Sequence, residues 1–204
     1  MQNPPPNRRY LLKALAGMGV LAPLPLWAAP LPTMEEVAFD PDIPALGNPD
    51  GNVTVVEYTD YQCPYCKLSY IELSKVMAED GNIRLVLRDW PIFGQVSRNA
   101  ALLTLASHSQ GRYAEAVKTL MTANERLTFR NTANLLSNAG IDVELARNEL
   151  GARQDIFVSL LTRTEAQAKA FQLKGTPGFL IGKSLYKRGM TADDFRKAIA
   201  QARA

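Results

Sequence analysis

Residues that build metal centres are scarce in this chain. It has one histidine, His108, and two cysteines, Cys63 and Cys66. Two cysteines without histidine partners do not complete a tetrahedral zinc site within one chain. His108 has no Cys or Glu neighbour at ligand spacing, which leaves it as an ordinary helix-end residue, and no metal site is expected. Acid is missing from the start of the chain: none precedes Glu35, while Arg8, Arg9 and Lys13 supply the whole net charge of +3. Apart from those three, basic and acidic side chains balance, which removes the global basic field that nucleic-acid binding needs. Internal repeats are absent, as is any low-complexity tract beyond the prolines near the start. Apolar content of 47% is that of a globular protein with a real core.

A long uninterrupted apolar run is missing too. Ala14 to Ala29 is mildly apolar but holds Gly17, Gly19, Pro23 and Pro25, so it makes a poor permanent membrane helix. Behind Asn7-Arg8-Arg9-Tyr10-Leu11-Leu12-Lys13 it reads as an export signal over residues 1–29, with cleavage expected near Ala28 or Ala29. The paired arginines resemble a twin-arginine signal, the alternative being an ordinary secretory n-region. Retention as an anchor stays open. The expected location is the periplasm, an oxidising compartment where a disulfide persists.

What the chain does have begins at residue 53. Residues 30–52 are rich in Pro, Asp and Gly and are expected to be an extended lead-in. Val53 to Thr59 is an apolar, β-branched strand. Pro64 to Ala78 reads as a helix with Leu68, Ile71 and Val76 on its apolar face, and Ile83 to Arg88 as a second strand after the turn Asp80-Gly81-Asn82. This order predicts a βαβ unit with parallel strands. From 97 to 173 the pattern is helical only: Ala100 to His108, Tyr113 to Met121, Thr132 to Ala139, Val143 to Leu150 and Ile156 to Phe171. A hairpin, Gly178 to Ile181 and Ser184 to Lys187 across Gly182-Lys183, and a helix, Ala192 to Arg203, close the chain. The expected division is a domain formed by 53–96 and 174–204 with a helical subdomain, 97–173, inserted into it.

Cys63-Pro64-Tyr65-Cys66 stands where the first strand meets its helix, the setting that makes a thiol a reversible redox centre. Cys63 would cap the helix, where unpaired backbone N–H groups favour thiolate, and act as the exposed nucleophile. Cys66, one turn on and more buried, would act as the resolving thiol. Pro64 and Tyr65 set how many N–H groups reach the Cys63 sulfur, since proline withholds one. Other segments have plainer readings. Trp90-Pro91-Ile92-Phe93 is assigned to core packing, the alternative being an exposed apolar rim for substrates, and Lys183, Lys187 and Arg188 to a solvated hairpin face.

Three segments together resemble the DsbA family of bacterial thiol–disulfide oxidoreductases. They are Glu57-Tyr58-Thr59-Asp60-Tyr61-Gln62-Cys63-Pro64-Tyr65-Cys66-Lys67, Arg88-Asp89-Trp90-Pro91-Ile92 and Gly175-Thr176-Pro177-Gly178-Phe179. The resemblance implies an α/β, thioredoxin-like fold: a central mixed sheet flanked by helices, with an inserted all-helical subdomain. It identifies Thr176 and Pro177 with the family's cis-proline loop, whose exposed backbone docks substrate peptide. It also identifies Glu57 with the buried acid beneath the redox pair, a candidate proton relay to Cys66. Tyr65 replaces the histidine of the best-known oxidases, which argues against an extreme oxidant.

The expected function is that of a dithiol oxidase exchanging disulfides with substrate proteins through Cys63–Cys66, without cofactor and as a monomer. The resemblance implies a membrane redox partner, either a quinone-linked oxidase or a reductase. The alternatives are a disulfide isomerase or reductase kept reduced by such a partner, to which Thr176 leans, and a copper-handling dithiol.

Overall fold

Val53–Thr59 forms β2, at the centre of a five-stranded sheet ordered β1 (Ala45–Gly47), β3 (Ile83–Asp89), β2, β4 (Gly178–Ile181), β5 (Ser184–Tyr186). The structure, a computed structural model, describes residues 31–204, and the export segment expected at 1–29 lies outside the described residues. Six of the seven β2 residues are buried, because helices cover both faces of the sheet and alternation gives way to a continuous apolar run. β3 (Ile83–Asp89) runs parallel to β2, in register from Val53↔Ile83 to Thr59↔Asp89. α2 (Pro64–Asp80) is the crossover between them, as the βαβ reading requires. Gly81, at φ 70°, ends α2, its N–H bonding the Met77 carbonyl at 3.0 Å.

β4 (Gly178–Ile181) pairs antiparallel with β2, and β5 (Ser184–Tyr186) returns along β4 through a turn at Gly182, φ 58°. A Cβ on Gly182 would also stand 2.8 Å from the Ala202 side chain, so the turn needs glycine twice over. α8 (Ala192–Arg203) follows a capping box made by Thr191 and Asp194. Between β3 and β4 come α3 (Gln95–Ala106), a 3-10 turn (Ser107–Gln110), α4 (Tyr113–Thr122), α5 (Phe129–Asn138), α6 (Val143–Ala152) and α7 (Gln154–Ala170). These helices share one continuous apolar core with the sheet. Mixed sheet, flanking helices and extra helices make this a thioredoxin-like α/β fold.

Two expectations fail here. Residues 30–52 are not simply extended: α1 (Met34–Ala38) is a helical turn and β1 (Ala45–Gly47) pairs antiparallel with β3. The signal for α1 is the reciprocal cap in which the Glu36 N–H bonds Thr33 Oγ1 and the Thr33 N–H bonds the Glu36 carboxylate. What holds the segment down is Arg88. Its fully buried guanidinium donates to the carbonyls of Glu36 and Val37 and to Asp40 Oδ2 at 2.9 Å. Arg163 on α7 then binds Asp40 and Asp42 at 3.0 and 2.9 Å.

The second failure is on α2. Its buried stripe is Cys66, Ser69, Leu73 and Val76, whereas Leu68 and Ile71 stand 61% and 40% exposed. At 100° per residue Leu68 and Ile71 fall opposite Cys66, so facing the sheet with Cys66 turns both to solvent.

Candidate active site

The site is built where β2 ends. Trp90 N–H bonds the Thr59 carbonyl at 2.8 Å, tying β2 to the end of β3. The chain then turns on Asp60, whose carboxylate accepts from Gln62 N–H (2.8 Å), Phe93 N–H (3.1 Å) and Ser97 Oγ (2.7 Å), while its carbonyl accepts from Cys63 N–H (2.9 Å). This buried turn sets Cys63 at the N-cap of α2 with extended φ/ψ of −75° and 116°. The Cys63 sulfur accepts the Cys66 N–H at 3.3 Å, and Pro64 fills the first helical position without an N–H to offer.

Cys63 is not the exposed nucleophile expected: it is 2% exposed, and Cys66 is fully buried. The cover comes from the loop before β4. The Thr176–Pro177 bond is cis, and the Cys63 thiol donates to the Thr176 carbonyl at 3.3 Å. A Cβ on Gly178 would lie 2.8 Å from the Leu173 side chain, which keeps that loop glycine-bound. The two inner residues of the motif, Pro64 and Tyr65, are exposed, Tyr65 at 67%. Tyr65 walls a 360 Å³ cavity with Gly175, Thr176, Pro177, Lys187 and Arg188. Ile92 and Phe93 are exposed as well, which corrects their assignment to the core: Gly94 turns the chain at φ 91° before α3 and leaves both outside.

The two thiols differ in acidity. Cys63 falls from the ordinary 9.0 to about 6. The largest cause is the neighbouring Cys66 thiol, and the Thr176 side chain and the N–H groups of Cys66 and Tyr65 add to it against the cost of burial. Cys66 moves the other way, pushed up by burial, then by its bond to Cys63 and by the charge of Glu57. Glu57 lies wholly buried on β2, between Leu87 and Phe179 in the sheet register. Burial raises its pKa from 4.5 to about 8, with the charges of Cys63 and Asp89 adding to the rise and the Thr59 hydroxyl opposing it.

These shifts make stability depend on pH. The unfolded chain releases the Glu57 proton near pH 4.5 and the native chain holds it to about 8, so Glu57 costs stability progressively as pH rises through that window. For the dithiol form, Cys63 has the opposite sign: its contribution is full above pH 9.0 and is lost as pH falls to about 6. Glu57→Gln is therefore expected to gain stability over the parent chain as pH climbs from 4.5 to 8. Urea unfolding at both ends of that range measures the gap, and a gap that does not change with pH would contradict a buried, proton-holding Glu57.

Sequence reasoning placed Cys63, Pro64, Tyr65, Cys66, Thr176, Pro177 and Glu57 in the site, and the fold brings them together. It missed Asp60 and Asp89. Asp60 stands three residues before Cys63 with polar Gln62 between, the spacing of a turn-closing aspartate, which was a usable signal. Asp89, 1% exposed at the end of β3, gave none, because a strand-end aspartate ordinarily faces water.

A family model described as thioredoxin matches residues 40–201. Among solved structures, a thioredoxin-like oxidoreductase from Silicibacter pomeroyi superposes with a TM-score of 0.80 at 31% identity, over 84% of this chain and 98% of that one. The thiol-disulfide exchange protein alpha-DsbA2 from Wolbachia pipientis superposes with a TM-score of 0.76 at 24% identity, over 82% and 91%, a likeness of fold. Among curated sequences, the Na(+)/H(+) antiporter NhaA 1 of Mycolicibacterium gilvum is 26% identical over 160 residues, 77% of this chain. The chain spans only 26% of the length of that antiporter. Among the described residues no helix is long and apolar enough to cross a membrane. With a thioredoxin sheet, a two-cysteine helix cap and a matched span of 40–201, the chain belongs to the thioredoxin family.

Proposed function

We propose that the protein is an exported thiol–disulfide oxidoreductase working on other proteins, chiefly as a dithiol oxidase. The observation that carries this reading is the split acidity of one pair: Cys63 at about 6 on a helix cap, with Cys66 held far higher beneath it. A sulfur that is thiolate at neutral pH is a good leaving group, and stabilising the reduced pair makes the disulfide easy to give away.

In the forward direction a client thiolate attacks Cys63 Sγ of the oxidised pair, the Cys63–Cys66 bond breaks, and Cys66 leaves with the electron pair. Glu57, buried and holding its proton, supplies that proton to Cys66. The client's second thiol, as thiolate, then attacks its own sulfur in the mixed disulfide. Cys63 leaves as thiolate, and the client departs oxidised. Thr176 and Pro177 would hold the client backbone beside Cys63, with Tyr65 and the 360 Å³ cavity receiving its side chains. Reoxidation would fall to a membrane partner that passes electrons onward. The wider similarity to a thiol-disulfide exchange protein supports exchange as the chemistry.

The deciding measurement is the reduction potential of Cys63–Cys66 against glutathione buffers. A value of about −120 to −160 mV is expected, as a disulfide donor requires. A value near or below roughly −230 mV would overturn the oxidase reading in favour of an isomerase, a reductase or a copper-handling dithiol.

A further inference from the structure

Beneath α2 the sheet carries a second carboxyl that the exchange steps above leave idle. Glu57 and Thr59, two residues apart on β2, face the same side of the sheet. Parallel register sets Leu87 beside Glu57 and Asp89 beside Thr59, so Asp89 shares that face, while Tyr58 and Arg88 point to the other. Glu57, Thr59, Asp89, Tyr61, Tyr113 and Thr104 are all buried. Both oxygens of Glu57, both of Asp89 and the hydroxyls of Thr59, Tyr61, Thr104 and Tyr113 lack a hydrogen-bond partner among the described residues. The Thr59 hydroxyl faces Glu57 and the Tyr61 hydroxyl faces Asp89, neither closing a bond of normal geometry.

So dense a group of unpaired polar atoms runs against the rule that buried polar groups are satisfied, and it gathers around Glu57 and Asp89 on one face of the sheet. Asp60, the neighbouring acid, shows the contrast: its oxygens are fully engaged in the turn.

We propose that Asp89 is a positioning residue for disulfide exchange, a second proton store that refills Glu57 through the Thr59 hydroxyl after Glu57 has protonated Cys66. The inference rests on the reading of Glu57 as donor to Cys66. The protons balance. Cys66 Sγ takes the Glu57 proton as the Cys63–Cys66 bond breaks. Thr59 then passes its hydroxyl proton to Glu57 and receives the Asp89 proton. The negative charge brought in by the client thiolate ends on Asp89.

The move is favourable because an ionised Glu57 would sit close to Cys63 just before Cys63 itself becomes thiolate. At Asp89 the charge is farther off and meets the hydroxyls of Tyr61 and Tyr113, which can turn to donate, with Thr104 facing Tyr61 in turn. The groups facing Asp89 are Asp60 and Tyr61 from the turn, Glu57 from β2 and Tyr113 from α4, with Tyr70 of α2 facing Glu57 and Tyr113. Its carboxyl is held protonated to about 8 by burial and by Asp60, against the Tyr61 hydroxyl.

The test is the rate at which dithiothreitol reduces the oxidised full chain, followed by stopped flow from acid to alkaline pH and normalised to the dithiothreitol thiolate present. Asp89→Asn is expected to slow reduction near neutrality about 3- to 10-fold, a fraction of the ~10²-fold or more that direct proton transfer contributes. The pH at which the normalised rate falls should move down, because Asp89 no longer raises Glu57. Thr59→Val should behave alike and Thr59→Ser should restore the rate, which decides the matter even if Asp89→Asn folds poorly.

In a Glu57→Gln background, already slow, Asp89→Asn should add nothing. Parent-like rates in both Asp89→Asn and Thr59→Val, or an equal slowing by Asp89→Asn with and without Glu57, would overturn the inference while leaving the Glu57 reading intact. A Glu57→Gln chain as fast as the parent would remove both.

Discussion

Serine at Cys63 is expected to abolish turnover, and serine at Cys66 to leave a protein that captures clients and cannot release them. Cys63 is the sulfur at the helix cap, and at neutral pH its acidity keeps it mostly thiolate. A serine hydroxyl there cannot ionise in any working range, so the loss should be roughly 10³-fold or more, as for other deleted nucleophiles. Cys66 plays the other part. Held protonated and buried one turn below, it attacks Cys63 only from inside the protein, and nothing else among the described residues can replace it, because these are the only two cysteines in the chain. In Cys66→Ser the free Cys63 should therefore accumulate as mixed disulfide with scrambled insulin, seen as a shifted band on a non-reducing gel that dithiothreitol removes. Turnover within about tenfold of the parent in Cys63→Ser would end the redox reading, whatever the potential of the pair.

Loss of Arg88 is expected to cost about 3–5 kcal/mol, a large share of the 5–15 kcal/mol that holds a typical domain folded. The guanidinium is wholly buried, yet three acceptors answer it: the carbonyls of Glu36 and Val37 and the carboxylate of Asp40, which Arg163 also binds. Arg88→Ala strands two carbonyls and half of a buried ion pair, and opens a void under α1. In both variants Asp40 keeps Arg163, but Arg88→Met also keeps much of the volume, so it should lose less than Arg88→Ala. Urea midpoints at neutral pH measure both variants, and limited proteolysis should find new cleavage within residues 31–52. A loss below about 1 kcal/mol in Arg88→Ala would mean that α1 and β1 hold to the sheet by apolar contact alone.

The features legible in the sequence share one property: each is decided within a few neighbouring residues. The β2–α2–β3 unit, the five helices between β3 and β4 and the closing hairpin all follow from apolar period and from glycine at the turns. The redox motif was legible for the same reason, since two cysteines at a strand–helix junction are a local pattern. What could not be read depends on partners far along the chain. Arg88 looks like a strand-end charge until α1 and Asp40 arrive from about fifty residues before it. Leu68 and Ile71 fit a helical apolar face, and only the choice of Cys66 as the inward residue turns them out. A helix-capping cysteine reads as an exposed nucleophile, yet Thr176 reaches it from 113 residues away and covers it. The capping box Thr33-x-x-Glu36 and the turn-closing Asp60 are local signals too, each settled within three residues.

Both margins of the sheet are short. β1 and β5 have three residues each, while the seven-residue strands β2 and β3 are enclosed between them. An unpaired strand margin is a template on which other chains can stack, and the hazard grows with its length. Gly47 ends β1 at φ 72°, where a Cβ would run into the Ile83 carbonyl at 2.5 Å, so that margin cannot lengthen by substitution without moving β3. Beyond β5 stand Lys187 and Arg188, charges that disfavour continued pairing. Margins short on both sides, with charge beyond β5, thus leave other chains little backbone to stack on, so the sheet resists becoming a seed for aggregation.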